Sequence, residues 1–206
     1  AWLPKLLGRP YGGLFRVTRQ VMHWFEAAGE PGAFSPERCP VFIWELPDRP
    51  QGIYGFPSIE EAGGGIKVAT PLGGAAVDPD RVERTVTPGE IAAMYADYVV
   101  PYLPGVGPRS LRTEVCMYTE APGGRFVVDA HPEHGRVTVA SACSGHGFKH
   151  SAALGEALAE RLTAGGSRID LAPFSLASLR EQAAAMTPEQ RAAYEAWMAR
   201  SGGPAS

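Results

Sequence analysis

The stretch that most constrains the fold runs from Val137 to Leu162. Its first six residues, Val-Thr-Val-Ala-Ser-Ala, are small and β-branched, which is typical of a buried strand. A turn containing two glycines follows. After the turn, Leu154, Leu158 and Leu162 recur at the spacing of one helical stripe. The stretch therefore predicts a strand, a glycine turn and a helix.

The turn has the features of an anion-binding loop. The first turn of a helix leaves backbone N–H groups without partners, and the helix dipole places positive charge there. Gly145 and Gly147 lack a Cβ and allow a ligand close to the backbone, and Lys149 adds a full positive charge. The alternative is an ordinary connection in which the glycines only make the turn.

Composition excludes several classes of function. A net charge of −3, with 20% charged and 45% apolar residues, gives no basic stripe for nucleic acid and no membrane-surface patch. Cys39, Cys116 and Cys143 are widely spaced, with neither a disulfide pattern nor metal-ligand spacing. There is no secretory signal and no apolar run long enough to span a bilayer. We expect a cytoplasmic protein.

The rest of the chain predicts an α+β fold, with an antiparallel or mixed sheet joined to the strand–turn–helix unit. Strands are expected over Leu14–Glu26, Val41–Leu46, Gly52–Phe56, Ile66–Thr70, Leu111–Tyr118 and Arg125–Ala130, and Ile169–Phe174 is expected to be extended. Helices are expected over Ile91–Val100, after a capping box at Thr87–Glu90, over Ser175–Ala185, and from Thr187 to Met198. Gly-rich residues 60–65 are expected to form a loop.

Three local motifs lack the full residue pattern of the site that each suggests. Gly145-His-Gly-Phe-Lys-His150 has only the first two glycines of GxGxxG, so it is not a complete dinucleotide site. Ser144 and His146 lack the GxSxG context of a hydrolase. The residues His131, His134 and Asp129 could suggest a metal site, but Pro132 and Gly135 among them favour a polar hairpin turn.

Several motifs in the second half of the chain stand in one register. They are Cys116-Met-Tyr-Thr119, Phe126-Val-Val-Asp-Ala-His-Pro-Glu-His134 and Ser144-Gly-His-Gly-Phe-Lys149. The motifs that precede them are Arg19-Gln-Val21, Tyr54-Gly-Phe-Pro57, Gly65-Ile-Lys67 and Asp78-Pro-Asp80. In sequence and in order, these motifs resemble the C-terminal half of the monomeric sarcosine oxidase and N-methyltryptophan oxidase family, whose members are FAD-dependent amine oxidases of the D-amino-acid oxidase superfamily. The resemblance extends from Ala1 to about Arg180.

The resemblance implies a role for each matching residue. Cys116 would bond covalently to FAD, and the other flavin contacts would be Met117, Ser144, Gly145, His146, Gly147, Phe148 and Lys149. Lys67 would activate O₂, and Lys149 would attract the substrate carboxylate. Tyr54 and Tyr118 would line the substrate pocket. Each has a structural alternative, since a strand lysine usually points to solvent and a lone cysteine or tyrosine often belongs to the core.

The same resemblance implies a domain organisation, and this sequence differs from the family's pattern in two respects. Residues 1–13 would form a helix of the FAD domain, residues 14–118 the substrate domain, residues 119–180 the C-terminal part of a Rossmann-like FAD domain, and residues 181–206 a helix and tail. The N-terminal dinucleotide-binding half has no counterpart in this sequence and would be the chain's missing partner. Pro71 stands where the family's sarcosine oxidases have a histidine, which leaves the substrate open.

The expected function is therefore that of the C-terminal portion of an oxidase. The complete enzyme would oxidise the C–N bond of a small-molecule secondary amine such as sarcosine, with O₂ as acceptor, and the isolated chain would be inactive. A glycine-oxidase-like or dehydrogenase relative with noncovalent FAD is one alternative. A non-catalytic binding module that keeps only the sheet is the other.

Overall fold

The computed structural model describes residues 1–30, 32–49, 51–59, 64–71 and 74–192. Within these residues the chain forms two compact units. We call residues 19–74 and 82–116 the central unit, and residues 1–18, 75–81 and those from 117 onward the terminal unit. None of the described helices is both long and apolar enough to cross a membrane.

A five-stranded sheet is the main feature of the central unit. Its strands lie in the order β2-β3-β4-β1-β5. Three of its neighbouring pairs, β2–β3, β3–β4 and β1–β4, are antiparallel. The strands are β1 (Arg16–Ala27), β2 (Phe42–Trp44), β3 (Ile53–Phe56), β4 (Ile66–Ala69) and β5 (Val106–Glu120). The predicted hairpin and the predicted strand around Lys67 are confirmed.

One face of this sheet is covered by a helix. Phe25, Ile53, Ile66 and Val68 are fully buried and form a core with Val99. Helix α2 (Pro88–Met94) begins with the predicted capping box, in which the Thr87 hydroxyl and the Glu90 carboxylate each accept a backbone N–H, and a π-helical turn continues it to Val99. Because side chains alternate along a strand, burial of Ile66 and Val68 places Lys67 on the opposite face.

The terminal unit combines short helices with a two-stranded antiparallel sheet. Val127, Val139, Leu176 and Leu179 are almost fully buried and form its core together with Leu7. The elements are α1 (Leu3–Leu7), β6 (Val127–Ala130), β7 (Thr138–Ser141), α3 (Ser151–Ala164) and α4 (Leu176–Ala185). The predicted α+β class is confirmed.

The predicted strand–turn–helix is present as β7, a turn and α3, but the leucine stripe of α3 is poorly covered. Ala157 is the one buried residue of this helix, and Leu162 is 71% exposed. Leu154 and Leu158 are half-buried. The stripe therefore lacks a full packing partner within the described part of the chain.

Some smaller predictions need correction or completion. Residues 169–171 form no strand, and Ala172–Phe174 is a 3₁₀ helix, so the extended segment predicted there is wrong. The backbone turns here because the Phe174 N–H donates to the carbonyl of Leu171, three residues earlier, which is the hydrogen bond of a 3₁₀ helix. The last predicted helix begins with a Thr187–Gln190 capping box and is described to residue 192. Residues 60–63 of the predicted loop lie outside the described residues.

The turn between β6 and β7 is the polar hairpin turn expected from the sequence. His131 and Val137 pair through a backbone hydrogen bond, and the His131 ring accepts the N–H of Glu133 at 3.2 Å. Among the described residues, no group of three histidine, cysteine, aspartate or glutamate side chains is placed to hold a metal ion.

Candidate functional site

Lys67 is held in the middle of the sheet by its strand register. It pairs with Trp24 of β1 on one side and with Phe56 of β3 on the other. Cross-strand partners extend their side chains to the same face, so both rings flank the lysine. The side chain of Lys67 is half-buried. Its placement differs from the usual solvent-facing strand lysine.

The Lys67 ammonium group lies among aromatic rings. Its Nζ atom is 5.3 Å from the Trp24 ring centre, 5.0 Å from that of Phe56 and 6.0 Å from that of Tyr54. Burial lowers the pKa of Lys67, the Cys116 thiol raises it, and the Arg112 guanidinium lowers it, with burial the largest cause. Desolvation disfavours the charged form of a lysine, whereas aromatic faces attract it.

The structure thus brings together two residues that the sequence singled out, namely Tyr54 and Lys67. Cys116 is a free, half-buried cysteine on β5 of the same unit. Alternation along the strand puts it on the face of Arg112, whose guanidinium packs on the Trp24 ring beside Lys67.

The turn before α3 is the second cluster of predicted residues, and it belongs to the terminal unit. Ser144 has a φ of 45°, and Gly145 has a φ of 76°. A positive φ is uncommon for a residue other than glycine and is found at constrained sites. The Ser144 hydroxyl donates to the Arg125 carbonyl at 3.0 Å, and its amide donates to the Thr119 carbonyl at 3.0 Å. These bonds hold the turn against the end of β5.

Two glycines of the turn are required by close contacts. A Cβ on Gly147 would lie 1.6 Å from the Ala142 carbonyl oxygen, and one on Gly145 would lie 3.0 Å from the Tyr118 ring. Tyr118 and Met117 are half-buried on β5. The structure therefore brings Tyr118 into contact with the turn.

The remaining turn residues differ in exposure. Phe148 is 93% exposed, and Lys149 is exposed as well. The His146 Nδ1–H donates to the Ser144 carbonyl, 2.8 Å away, because a carbonyl oxygen can only accept. The ring also stacks on Phe126 with ring centres 4.7 Å apart.

The turn is only partly available to an anion. The amides of Ser144, His146 and His150 already donate to backbone carbonyls. Lys149 forms no ion pair with another described residue, so its charge is not neutralised there. An anion at this turn would therefore rely on the lysine more than on a full set of backbone donors.

Sequence reasoning missed residues in both units. Trp24 and Arg112 lie at Lys67, and the Arg112 guanidinium carbon is 4.9 Å from the Trp24 ring centre. In the terminal unit, Glu120 is buried and accepts a hydrogen bond from Thr18 at 2.9 Å. The alternation of side chains along β1 could have predicted that Trp24 lies on the face opposite the core. The sequence could not predict that Trp24 pairs with Lys67, because that pairing depends on the register between β1 and β4.

The comparisons with known proteins agree with this fold. The family described as FAD dependent oxidoreductase (DAO) matches residues 1–161. The chain is 41% identical over 161 residues to a monomeric sarcosine oxidase of Streptomyces avermitilis, covering 78% of this chain and 41% of that protein. It is 35% identical over 164 residues to an N-methyl-L-tryptophan oxidase of Yersinia pestis, covering 79% of this chain and 42% of that protein.

Solved structures give the same result for the fold alone. NikD, an amino acid oxidase, matches with a TM-score of 0.63 at 17% identity, over 83% of this chain and 44% of its own. An Amadoriase I variant from Aspergillus fumigatus matches with a TM-score of 0.59 at 17% identity, over 93% of this chain and 43% of its own. The chain spans less than half the length of the curated relatives cited. Because the family model matches most of its length, the chain belongs to the FAD dependent oxidoreductase family.

Proposed function

We propose that this chain is the C-terminal portion of an FAD-dependent oxidase that acts on secondary N-methyl amino acids such as sarcosine. The amine would lose two electrons and two protons, O₂ would take them up as H₂O₂, and the imine would remain. The observation that carries the proposal is the Lys67 ammonium group, held among the rings of Trp24, Tyr54 and Phe56 on a sheet face opposite the core.

Each unit by itself offers residues whose chemistry suits contact with FAD. The chain offers a free half-buried thiol, a cation without a carboxylate partner in the described residues, and a turn where Gly145 lacks the Cβ that would approach Tyr118. When bound, FAD supplies the acceptor for the hydride and the route of electrons to O₂. We propose Cys116 as its covalent attachment point, with Met117 and the 144–149 turn among its contacts.

The chain's own residues would act by charge and position. Lys67 would place a fixed positive charge where negative charge develops on O₂, which lowers the barrier most in a site that excludes water. Lys149, exposed and without an ion-pair partner among the described residues, would attract the substrate carboxylate. Tyr54 and Tyr118 would bound the substrate's position, each with a hydroxyl able to donate or accept.

The proposal extends to the organisation of the protein. The terminal unit would belong to the FAD-binding side and the central unit to the substrate side, and a dinucleotide-binding half would complete the cofactor site. Without that half, we expect the 206-residue chain to be purified without stoichiometric flavin. Flavin absorbance at one equivalent in the purified chain would contradict this.

The decisive experiment uses the longest polypeptide that the gene encodes, loaded with FAD. H₂O₂ formation is measured by a coupled peroxidase assay with sarcosine, N-methyl-L-tryptophan, glycine and a tertiary amine. We expect turnover with one or more of the N-methyl amino acids. Turnover of glycine alone would favour the glycine-oxidase-like alternative, and amine-dependent dye reduction without H₂O₂ would favour a dehydrogenase.

A further inference from the structure

Trp24 contacts two cationic side chains on the face of the sheet opposite the core. The Lys67 Nζ atom is 5.3 Å from its ring centre, and the Arg112 guanidinium carbon is 4.9 Å from it. The cross-strand pairing of Trp24 with Lys67 makes the first contact a consequence of strand register. Cations within about 6 Å of an indole are attracted by its quadrupole, more strongly than by a phenyl ring.

The two cations differ in how their charge is balanced. Arg112 forms an ion pair with Glu114 at 3.0 Å and is 59% exposed. Lys67 forms no ion pair with a described residue, and three aromatic rings surround its ammonium group. A lysine side chain has four rotatable bonds, so a carboxylate-free ammonium group needs another restraint to keep one position.

Trp24 is the ring suited to provide that restraint. It is half-buried, whereas Phe56 is 40% exposed and Tyr54 is the most distant of the three ring centres. Its neighbours on β1, His23 and Phe25, are buried on the other face, which fixes the backbone that carries it. Arg112 packs against the same ring and limits its rotation.

We propose that Trp24 is a positioning residue that holds the Lys67 ammonium group in one place, and that Arg112 holds the Trp24 ring. The consequence for catalysis rests on the proposed function, in which Lys67 provides the fixed charge for the reaction with O₂. The positioning itself is a property of the central unit and can be measured without flavin.

The chain suits a direct measurement because it contains only three lysines, Lys5, Lys67 and Lys149. Lysine labelled with ¹³C gives three resolved sets of Hε–Cε signals, assigned with Lys→Arg variants. Lys5 is paired with Asp78 and Asp80, and Lys149 is exposed. We expect the Lys67 Hε signals to be shifted upfield of those of Lys149 by ring currents.

The test variant is Trp24→Leu, and the matched control is Trp44→Leu, because Trp44 is 41% exposed on β2 and its ring contacts Phe42 in a tilted arrangement. Trp24→Leu should remove roughly one third or more of the Lys67 upfield shift, since it removes one of three rings. Trp44→Leu should leave the shift unchanged. An unshifted Lys67 in the wild type, or an equal shift in Trp24→Leu, overturns the proposal.

A second pair of variants keeps the test valid if Trp24→Leu fails to fold. Arg112 is largely exposed, so the Arg112→Leu variant should fold. In this variant the upfield shift of the Lys67 Hε signals should become smaller and the signals should broaden. Arg112→Lys keeps a cation against the Trp24 ring and should restore the wild-type shift and line width. An unchanged Lys67 signal in Arg112→Leu removes Arg112 from the proposal.

The catalytic consequence is measured in the complete FAD-loaded polypeptide by stopped flow. Trp24→Leu should slow flavin reoxidation by O₂ at least tenfold more than it slows flavin reduction by amine, whereas a general loss of structure would slow both. If the NMR shift is lost but reoxidation is unaffected, positioning by Trp24 holds and the proposed role of Lys67 in oxygen activation fails.

Discussion

The ring of Tyr118 packs against Gly145 so closely that a side chain at position 145 would contact the ring at less than the usual van der Waals distance. A Cβ on Gly145 would lie 3.0 Å from the Tyr118 Cε2 atom, and the glycine has a φ of 76°. This contact links the end of β5 to the turn before α3, two segments that the sequence predicted to contribute to one site.

Gly145→Ala should therefore destabilise the terminal unit. The left-handed backbone costs a residue with a Cβ about 1 kcal/mol, and the contact with Tyr118 adds to that. Gly135→Ala is the matched control, since Gly135 also lies in a turn but has no atom within 4 Å of the Cβ position. Urea unfolding followed by circular dichroism compares the two, and equal midpoints would contradict the prediction.

His23 should make the stability of the chain depend on pH in the acid range. It is 3% exposed, and burial lowers its pKa from 6.5 to about 4. Between these values the unfolded chain binds the proton more readily, so stability rises with pH through this window and the penalty is complete below pH 4. The upper limit of the effect is about 3.4 kcal/mol, at 1.36 kcal/mol for each pKa unit.

His23→Leu removes this titration. The free energy of unfolding, measured from urea curves between pH 4 and 6.5, should then rise less steeply with pH than in the wild type. Parallel pH profiles for the two proteins would show that His23 is not held neutral by burial.

Lys67 should deprotonate at a lower pH than Lys5. Burial lowers the pKa of Lys67 below 10.5, whereas the hydrogen bonds that Lys5 donates to Asp78 and Asp80 raise the pKa of Lys5 above it. Only a neutral amine reacts with an acylating reagent, so the midpoint of acylation against pH should be lower for Lys67 than for Lys5. Mass spectrometry of pulse-labelled chain measures each site, and the reverse order would contradict the prediction.

Cys116 should determine whether flavin stays attached in the complete polypeptide. If Cys116 is the attachment point, acid precipitation of the wild type gives a yellow pellet, and Cys116→Ala gives a colourless one with the flavin in the supernatant. Cys39→Ala is the control, because Cys39 lies on a loop of the same unit. A colourless wild-type pellet would favour noncovalent FAD.

Much of the architecture follows from local patterns. Alternation in Ile66-Lys-Val-Ala predicts which face of β4 is buried, and the Thr87–Glu90 spacing predicts the start of α2. The extended segment predicted for residues 169–174 is wrong because an apolar run of that length is compatible with either an extended or a turned backbone, and its proline favours a 3₁₀ turn. The helix predicted from the leucine stripe is confirmed as α3, although Leu162 is largely exposed among the described residues.

By itself the sequence determined the α+β class, the strand–turn–helix and the family, because these depend on periodicity, capping and motif order along the chain. Only the tertiary structure decided the surroundings of Lys67. Trp24 and Arg112 are each more than forty positions from Lys67 in the sequence, and their contact depends on strand register and side-chain packing, to which local periodicity is insensitive. The sequence motif predicted the position of the lysine, and the long-range pairing of β4 with β1 and β3 places three aromatic rings around its ammonium group.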